Sequence, residues 1–520
     1  MNSDEPQHLH VAWVVAHGGI QYHDVFDNHS PLFSLAMAPI VRAIGERPDI
    51  VVLSRLVMIP LVLTSLALVW LIGARLYSKR VGLWAAAATL VVPDFALASV
   101  EYRTDQLWTT AWMATLAALF LGRATPRRAL LCGIFLGVSF CASMKTSMLA
   151  VSLALGWVAA ALLARGGGLS SHRLARLTLA GLGGTILVPG VVAAHFASKG
   201  AFQDLAYGTI AHNVVPGLGS WGRASTRILL LPLLLPPLLW IARRVVAAAP
   251  DSGTGVRRGA LFLGAGIYYA AIQAAWPLIT RQDFLPFIPM AAIVTMPFLL
   301  GLVESARSRQ PLAPLHWLGR HASSFALILA IAKTQSVERP WAENDVGVQA
   351  AFLSEVLRMT RPTDPVMDVK GETIFRARPY FYALESVTCA RIERGTLRDS
   401  IAERLVATRT PVAVLDTHEF PKRGRAFLRA NYIRAGSLRY VGAELGPPDG
   451  NGMRRFEIRV PQQYALVSDR ESVSGSLDGT EYGGPRELAA GAHVFRGTPA
   501  AGRIDALWAE AVRRGAGPFP

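Results

Sequence analysis

Charged residues are scarce in this chain: Asp, Glu, Lys and Arg make up 17% of its 520 residues, against 52% hydrophobic ones. A soluble chain carries about a quarter charged residues. The deficit lies between residues 50 and 335 and excludes a purely soluble protein. Cysteine is scarcer still, with three in the chain. Cys132 and Cys141 share one apolar segment and Cys389 stands alone, which excludes a disulfide framework and a thiolate metal site. Heptads, internal repeats and low-complexity blocks are also missing. No signal-peptide pattern precedes the polar opening MNSDEPQHLH.

What is present instead is a series of apolar runs, each roughly 15 to 22 residues long, the mark of a polytopic helical membrane protein. Mean hydropathy is accordingly positive, +0.34. The runs predict spans over 53–74, 82–100, 106–122, 129–143, 147–164, 175–195, 226–247, 259–278, 284–303 and 319–334, about ten crossings in all. The last has only about a dozen apolar residues after Arg320 and His321, the low end for a crossing. Residues 32–44, LFSLAMAPIVRAI, are short and amphipathic and predict an interfacial helix.

A formal net charge of +16 raises the question of nucleic-acid binding. The distribution of Lys and Arg points to membrane orientation instead. They cluster in alternate loops: Arg75, Lys79 and Arg80; Arg123, Arg127 and Arg128; Arg165, Arg173 and Arg176; Arg243, Arg244, Arg257 and Arg258; Arg307, Arg309 and Arg320. By the positive-inside rule these five loops are cytoplasmic. The opening stretch, the EYRTD turn at 101–105, Lys145, loop 197–225 and the TRQD turn at 280–283 then share the outer face. The expected location is the inner (plasma) membrane, multi-pass, with this polar face toward the periplasm or exterior. The lipid bilayer is the expected partner and nucleic acid is not.

After about residue 335 the composition becomes that of a soluble domain. VGVQAAFLSEVLRM and LRDSIAERLVAT predict amphipathic helices, and PVMDV and PVAVLD predict buried strands, so 336–460 reads as a small α/β domain. It lies outside if 319–334 crosses and inside if that segment does not. The tail 461–520, with Gly-rich turns and short apolar strands, predicts a small β-rich appendage. The plan is an outer-face segment 1–52 with amphipathic helices, a transmembrane domain 53–335, the α/β domain 336–460 and the tail. In class, this is a mainly α polytopic membrane protein with a C-terminal soluble α/β domain.

Four groups of residues have the chemistry of a site. Asp4 and Glu5 precede QHLHVAWVVAHG, a predicted short amphipathic helix against the membrane. They are either a solvated first turn favoured by the helix dipole or a carboxylate pair held at the membrane surface. YHDVFDNHSPLF supplies Asp24, Asp27 and His29. Imidazole with carboxylate suits zinc or manganese, yet the spacing fits no tight metal motif, and a hydrated loop is the alternative. EYRTD brings Glu101, Arg103 and Asp105 to the hydrocarbon boundary, where charge is costly unless paired or functional. A structural Arg103–Asp105 ion pair is the plainer account. Lys145 in SFCASMKTSMLAVSL and Arg281 in TRQDFLPFIP either snorkel to the interface or clamp a lipid phosphate.

The order of these motifs resembles that of a known family. DE, a short helix, G-x-x-Y-x-D-x-F-x-x-H-x-P-L and then a cascade of apolar spans look like the integral-membrane GT-C glycosyltransferases. The group most similar holds the protein O-mannosyltransferases and the aminoarabinose transferase of lipid A (glycosyltransferase family 39). The turn with Arg103 and Asp105, Lys145 after the fourth span, and RQDFLPFIP from Arg281 look like bacterial members. The likeness covers about residues 3–335 and continues loosely into the C-terminal domain.

The resemblance implies a GT-C-like fold. It also implies transfer of a sugar from a polyprenyl-phosphate carrier to a hydroxyl of a lipid, glycan or protein acceptor, on the outer face and with inversion. Asp4 takes the position of the family's catalytic aspartate and is the implied general base, with Glu5 its adjacent partner, orienting or structural. Asp105 matches the acidic residue of the second outer loop. His29 falls where the aminoarabinose transferases have a lysine in a Lys-Pro-Pro stretch that contacts the carrier phosphate. The His-Ser-Pro found here departs from that pattern. Lys145, Arg103 and Arg281 are the remaining phosphate candidates. No cofactor is implied, and a divalent metal stays open because the requirement varies across GT-C enzymes. Family members also have a transmembrane helix ahead of the DE motif and this chain shows none, so either the true start lies upstream or the leader is exported with the first hairpin. The rival reading is a non-catalytic polyprenyl-lipid transporter or flippase. A transporter should place its charges near the bilayer midplane in broken helices, whereas here they fall in boundary loops.

Overall fold

Hydrocarbon offers a backbone no hydrogen-bonding partner, so the apolar runs satisfy themselves as helices. In the computed structural model they form α1 (Asp4–Ala16), α2 (Leu32–Ile44), α3 (Ile50–Leu76), α4 (Lys79–Val91), α5 (Pro93–Ala98) and α6 (Thr104–Phe120). There follow α7 (Pro126–Ala142), α8 (Thr146–Ala164), α9 (Ser171–Ser198), α10 (Phe202–Ala206), α11 (Thr226–Ala247), α12 (Ser252–Ala275) and α13 (Phe287–Ser308). The structure describes residues 2–519 apart from 165–170, 220–225, 416–418, 500–501 and most of 309–344. The span expected at 319–334 lies outside the described residues. Among the described helices, Ile50–Leu76, Thr146–Ala164, His172–Ser198 and Phe287–Glu304 are by length and composition alone sufficient to cross a membrane. The run at 82–100 is not one helix but α4 and α5, broken where Val92 takes an extended conformation (ψ 122°) before Pro93. Proline lacks the amide hydrogen and disfavours a helical residue ahead of it.

The chain divides into two compact units, Asn28–Met37 with Val52–Asn344, and Met1–Asp27 with Ala38–Val51 and Asp345–Pro520. The first is helical and inverted in polarity relative to a soluble protein. Leu155, Val158 and Leu162 of α8 and Leu179, Leu182 and Ile186 of α9 are exposed, whereas Thr104, Asp105, Gln106 and Thr109 of α6 are buried. Trp108, Trp112 and Phe120 of α6 pack with Tyr268 and Met290 in its core. Helices α8 and α12 touch backbone to backbone, since a Cβ on Gly156 would stand 2.6 Å from the Gly264 nitrogen. Small residues permit such close crossings where water provides no driving force.

Among the described residues, arginines of the basic loops cap helix ends of this unit. Arg258 Nε donates to the Leu76 carbonyl at 2.7 Å, closing the end of α3. Arg257 Nη2 donates to the Gly122 carbonyl at 3.0 Å, and Arg128 Nη2 to that of Ala118 at 3.0 Å, around the end of α6. Arg173 reaches the Ala124 carbonyl at 3.2 Å, and Arg80 pairs with Glu304. The last carbonyls of a helix lack internal partners, and these arginines supply them.

The second unit is built on a sheet. Strands β1 (Val366–Met367) and β2 (Val412–Val414) run parallel, and β2, β4 (Leu438–Glu444), β11 (Ile504–Trp508), β6 (Gln462–Ser468) and β9 (Arg486–Leu488) continue the order, with β3 (Tyr432–Ala435) beside β4. A smaller sheet runs β5 (Met453–Ile458), β10 (Gly491–Thr498), β7 (Ser474–Leu477) and β8 (Thr480–Glu481). Residues after 461 thus share the main sheet with the α/β part. Val366, Met367, Val412, Leu438, Ile504 and Leu507 form its core. Helix α1 belongs to this unit. Its sequence predicts an amphipathic helix, yet every residue from Glu5 to Ala12 is buried, and the chain after β1 packs against it. His10 Nδ1 lies 2.8 Å from the Ile374 carbonyl oxygen, and the Trp13 and Phe375 rings meet edge to face at 6.5 Å.

Candidate active site

In the helical unit, the charged residues singled out in the sequence converge at helix ends opposite in chain direction to the basic caps. Asp105 opens α6, and Arg103 Nε donates to its Oδ2 at 2.9 Å with both side chains more than nine-tenths buried. The start of α6 is pinned: Thr104 Oγ1 donates to the Ala142 carbonyl at 2.7 Å, and Trp108 Nε1 to Thr146 Oγ1 at 2.9 Å. These bonds hold it against the turn between α7 and α8 that carries Lys145. Lys145 and, when protonated, His29 also lie close enough to Asp105 for their charges to act on it. Lys145 itself pairs with Asp283, and its ammonium lies 5.3 Å from the Trp276 ring centroid and 6.0 Å from that of Trp108. Asp283 is placed by a 3-10 turn, Arg281–Phe284, whose capping box pairs it with Thr280. Gln282 Nε2 donates to Glu101 Oε2 at 2.9 Å, tying this turn to EYRTD.

In the other unit, Asp4 and Glu5 open α1. The Asp4 amide donates to Asn2 Oδ1 at 3.0 Å, and the Asn2 amide to Glu5 Oε2 at 3.3 Å. Glu5 is wholly buried, so it is not a solvated first-turn residue. Lys370 Nζ donates to Asp4 Oδ1 at 2.6 Å and to Ser3 Oγ at 3.1 Å. The loop bearing Lys370 is wired by two carboxylates. Asp368 accepts from the amides of Gly371 and Thr373, each at 3.0 Å, and from Arg378 Nε at 2.6 Å. Glu372 Oε2 accepts from the amides of Val369 at 3.0 Å and Lys370 at 2.9 Å. Burial, and then the neighbouring Asp368, push the Glu372 carboxyl up to about 7. Asp368 is driven the other way: burial opposes its charge, but the Arg378 guanidinium and His10 outweigh it and hold it below the usual carboxylate range. Gly371 turns this loop at φ +99°, and a Cβ there would fall 2.9 Å from the His10 Cβ.

The other expected residues are placed less centrally. His29 is half-buried. Arg281 is exposed at the head of its 3-10 turn. Asp24 accepts the Ile20 amide at 2.7 Å, and Asp27 accepts from Gln21 Nε2 at 2.8 Å, two bonds within the 20–27 loop. Sequence reasoning missed Lys370 and the role of Asp283. Asp283 carries a signal in retrospect, a Thr-x-x-Asp capping spacing. Lys370 carries none: it is a lone lysine in a soluble-looking segment.

Residues 28–193 match the family described as dolichyl-phosphate-mannose-protein mannosyltransferase. Among solved structures the chain is similar to ArnT from Cupriavidus metallidurans bound to undecaprenyl phosphate, at 14% identity and a TM-score of 0.53, covering 85% of this chain and 93% of that one. The apo form of the same protein gives 14% identity and a TM-score of 0.51 over the same shares. No curated protein sequence matches the chain. The class is therefore that of a membrane protein with the GT-C glycosyltransferase fold. Within it the fold is ArnT-like, apolar helices joined to a C-terminal sheet-rich domain.

Proposed function

We propose that the chain is a membrane glycosyltransferase that moves a sugar from a polyprenyl-phosphate carrier to an acceptor hydroxyl on the outer face of the membrane, with inversion. The observation that carries this reading is the buried Arg103–Asp105 pair with Lys145 beside it, set at helix ends of an ArnT-like fold. The solved neighbour with bound undecaprenyl phosphate supports the choice of carrier. An acceptor hydroxyl is a poor nucleophile, and Asp4 is the general base that takes its proton. Glu5 orients the turn that presents Asp4. The anomeric carbon gains positive character as the bond to phosphate breaks, which favours nearby carboxylates such as Asp105. The departing phosphate carries the charge that remains, and Arg103, Lys145, His29 and Arg281 are the cations offered to it.

Placement at helix ends disfavours a transporter, whose charges belong in broken helices at mid-membrane. The test supplies purified full-length protein with a set of polyprenyl-phosphate sugars and follows carrier release. Transfer by wild type and its loss in Asp4→Asn is the expected result. No turnover of any donor, or equal turnover by Asp4→Asn, overturns the reading.

A further inference from the structure

The ion pair between Lys370 and Asp4 creates a chemical difficulty for the function just proposed. A general base needs a carboxylate oxygen available to the incoming hydroxyl. Asp4 Oδ1 is instead occupied by an ammonium at 2.6 Å. The pair is largely removed from water, with 12% of the lysine and 22% of the aspartate side chain exposed. Nor is the contact a stray surface encounter. Glu372 fixes the Lys370 amide, Asp368 fixes the turn after it, and Gly371 allows the turn to press on His10 of α1. The loop is built to put a cation at that carboxylate.

From this we infer that Lys370 is a phosphate-binding residue held in reserve by Asp4. With the site empty, the ammonium neutralises the aspartate. When the carrier arrives, its phosphate, a second anion to which the lysine offers a point-charge contact, takes the ammonium over. The exchange binds the donor and draws the ammonium away from Asp4 Oδ1 in one event, so the base loses its compensating charge when a donor is in place. No covalent bond changes and no proton moves in this step. The ligand class is a lipid-linked phosphate monoester or diester. The inference rests on the carrier chemistry proposed above.

Exchange between two anions for one cation has a signature that a structural role lacks: removing the two partners should change binding in opposite directions. Binding of a polyprenyl phosphate to the full-length protein in detergent is measured without any transfer, with the matching polyprenol as the phosphate-free control. Lys370→Met is expected to weaken phosphate-dependent binding about tenfold, the scale of losing one charge-assisted contact. Asp4→Asn is expected to tighten it several-fold, because the ammonium no longer has to leave a carboxylate. Lys370→Arg should bind like wild type, and melting temperatures of all three variants report whether they fold. If Lys370→Met binds as wild type does while remaining folded, or Asp4→Asn binds no more tightly, the exchange is wrong though the enzyme reading stands. If wild type shows no preference for the phosphate over the polyprenol, the carrier reading itself falls and the exchange with it.

Discussion

Lys145 meets Asp283 across 138 positions of sequence, with the lysine beside two tryptophan rings and the aspartate wholly buried. Such a pair is balanced only as a pair, because each charge has surrendered water for the other. Asp283→Asn should therefore destabilise the helical unit by about 3–5 kcal/mol, the cost of stranding a buried charge. Adding Lys145→Met should recover part of that loss. Thermal melts in detergent read both, and strictly additive destabilisation by the two changes would count against the pairing.

The Arg103–Asp105 pair is open to a sharper separation of roles. If it only holds the EYRTD turn, replacing both partners by Met and Leu should be tolerated in fold and in activity. The expected outcome is a folded double variant with transfer reduced by about a hundredfold or more, the scale of losing preorganised charge at a reacting centre. Retained transfer would reduce the pair to a structural ion pair.

Stability should depend on pH through three groups near Lys370. Glu372, raised to about 7, keeps a proton that the unfolded chain has released. Folding stability therefore falls as pH rises from roughly 4.5 toward that value, then levels off. His10 is lowered by burial, so its contribution is present above the unfolded value of about 6.5 and is lost as pH falls through the folded one. Asp368 is lowered too, and its contribution is lost only in acid, below about 3.9. Glu372→Gln removes the first dependence. The gap in melting temperature between Gln variant and wild type should shift in favour of the variant from pH 5 to pH 8, and a gap independent of pH would refute the assignment.

Gly371 is required twice over, by its positive φ and by the proximity of His10. Gly371→Ala is expected to cost about 1–3 kcal/mol, as for a side chain forced into a sparsely populated backbone region. The strain should appear locally, as faster amide hydrogen exchange in residues 4–16. Unchanged protection there would mean that the loop does not brace α1.

Much of the helical unit was legible because hydrocarbon makes length and apolarity nearly sufficient to define a helix. The starts of α6 and α8 followed from charge at the ends of apolar runs, and the basic loops followed from alternation. Proline chemistry gives the break at Val92 in retrospect, hidden at first by an apolar run that continued through it. The setting of α1 was not legible. QHLHVAWVVAHG reads as a surface helix because its histidines look polar, yet burial against the chain after β1 suits His10 once Ile374 offers a carbonyl. Lys370 was invisible for a related reason: its partner lies 366 positions away, and no local pattern encodes a contact of that separation.

That separation also orders events during biosynthesis. At translation rates of roughly 5–20 residues per second, about twenty to seventy seconds pass between the emergence of Asp4 and of Lys370. Through that interval the acidic turn exists without the loop that receives it, while the helices between are being inserted. The contact between Lys370 and Asp4 can form only after the segment bearing Lys370 has emerged. Assembly of the N-terminal acidic pair is in this sense a late checkpoint, passed only by chains that have reached their C-terminal domain.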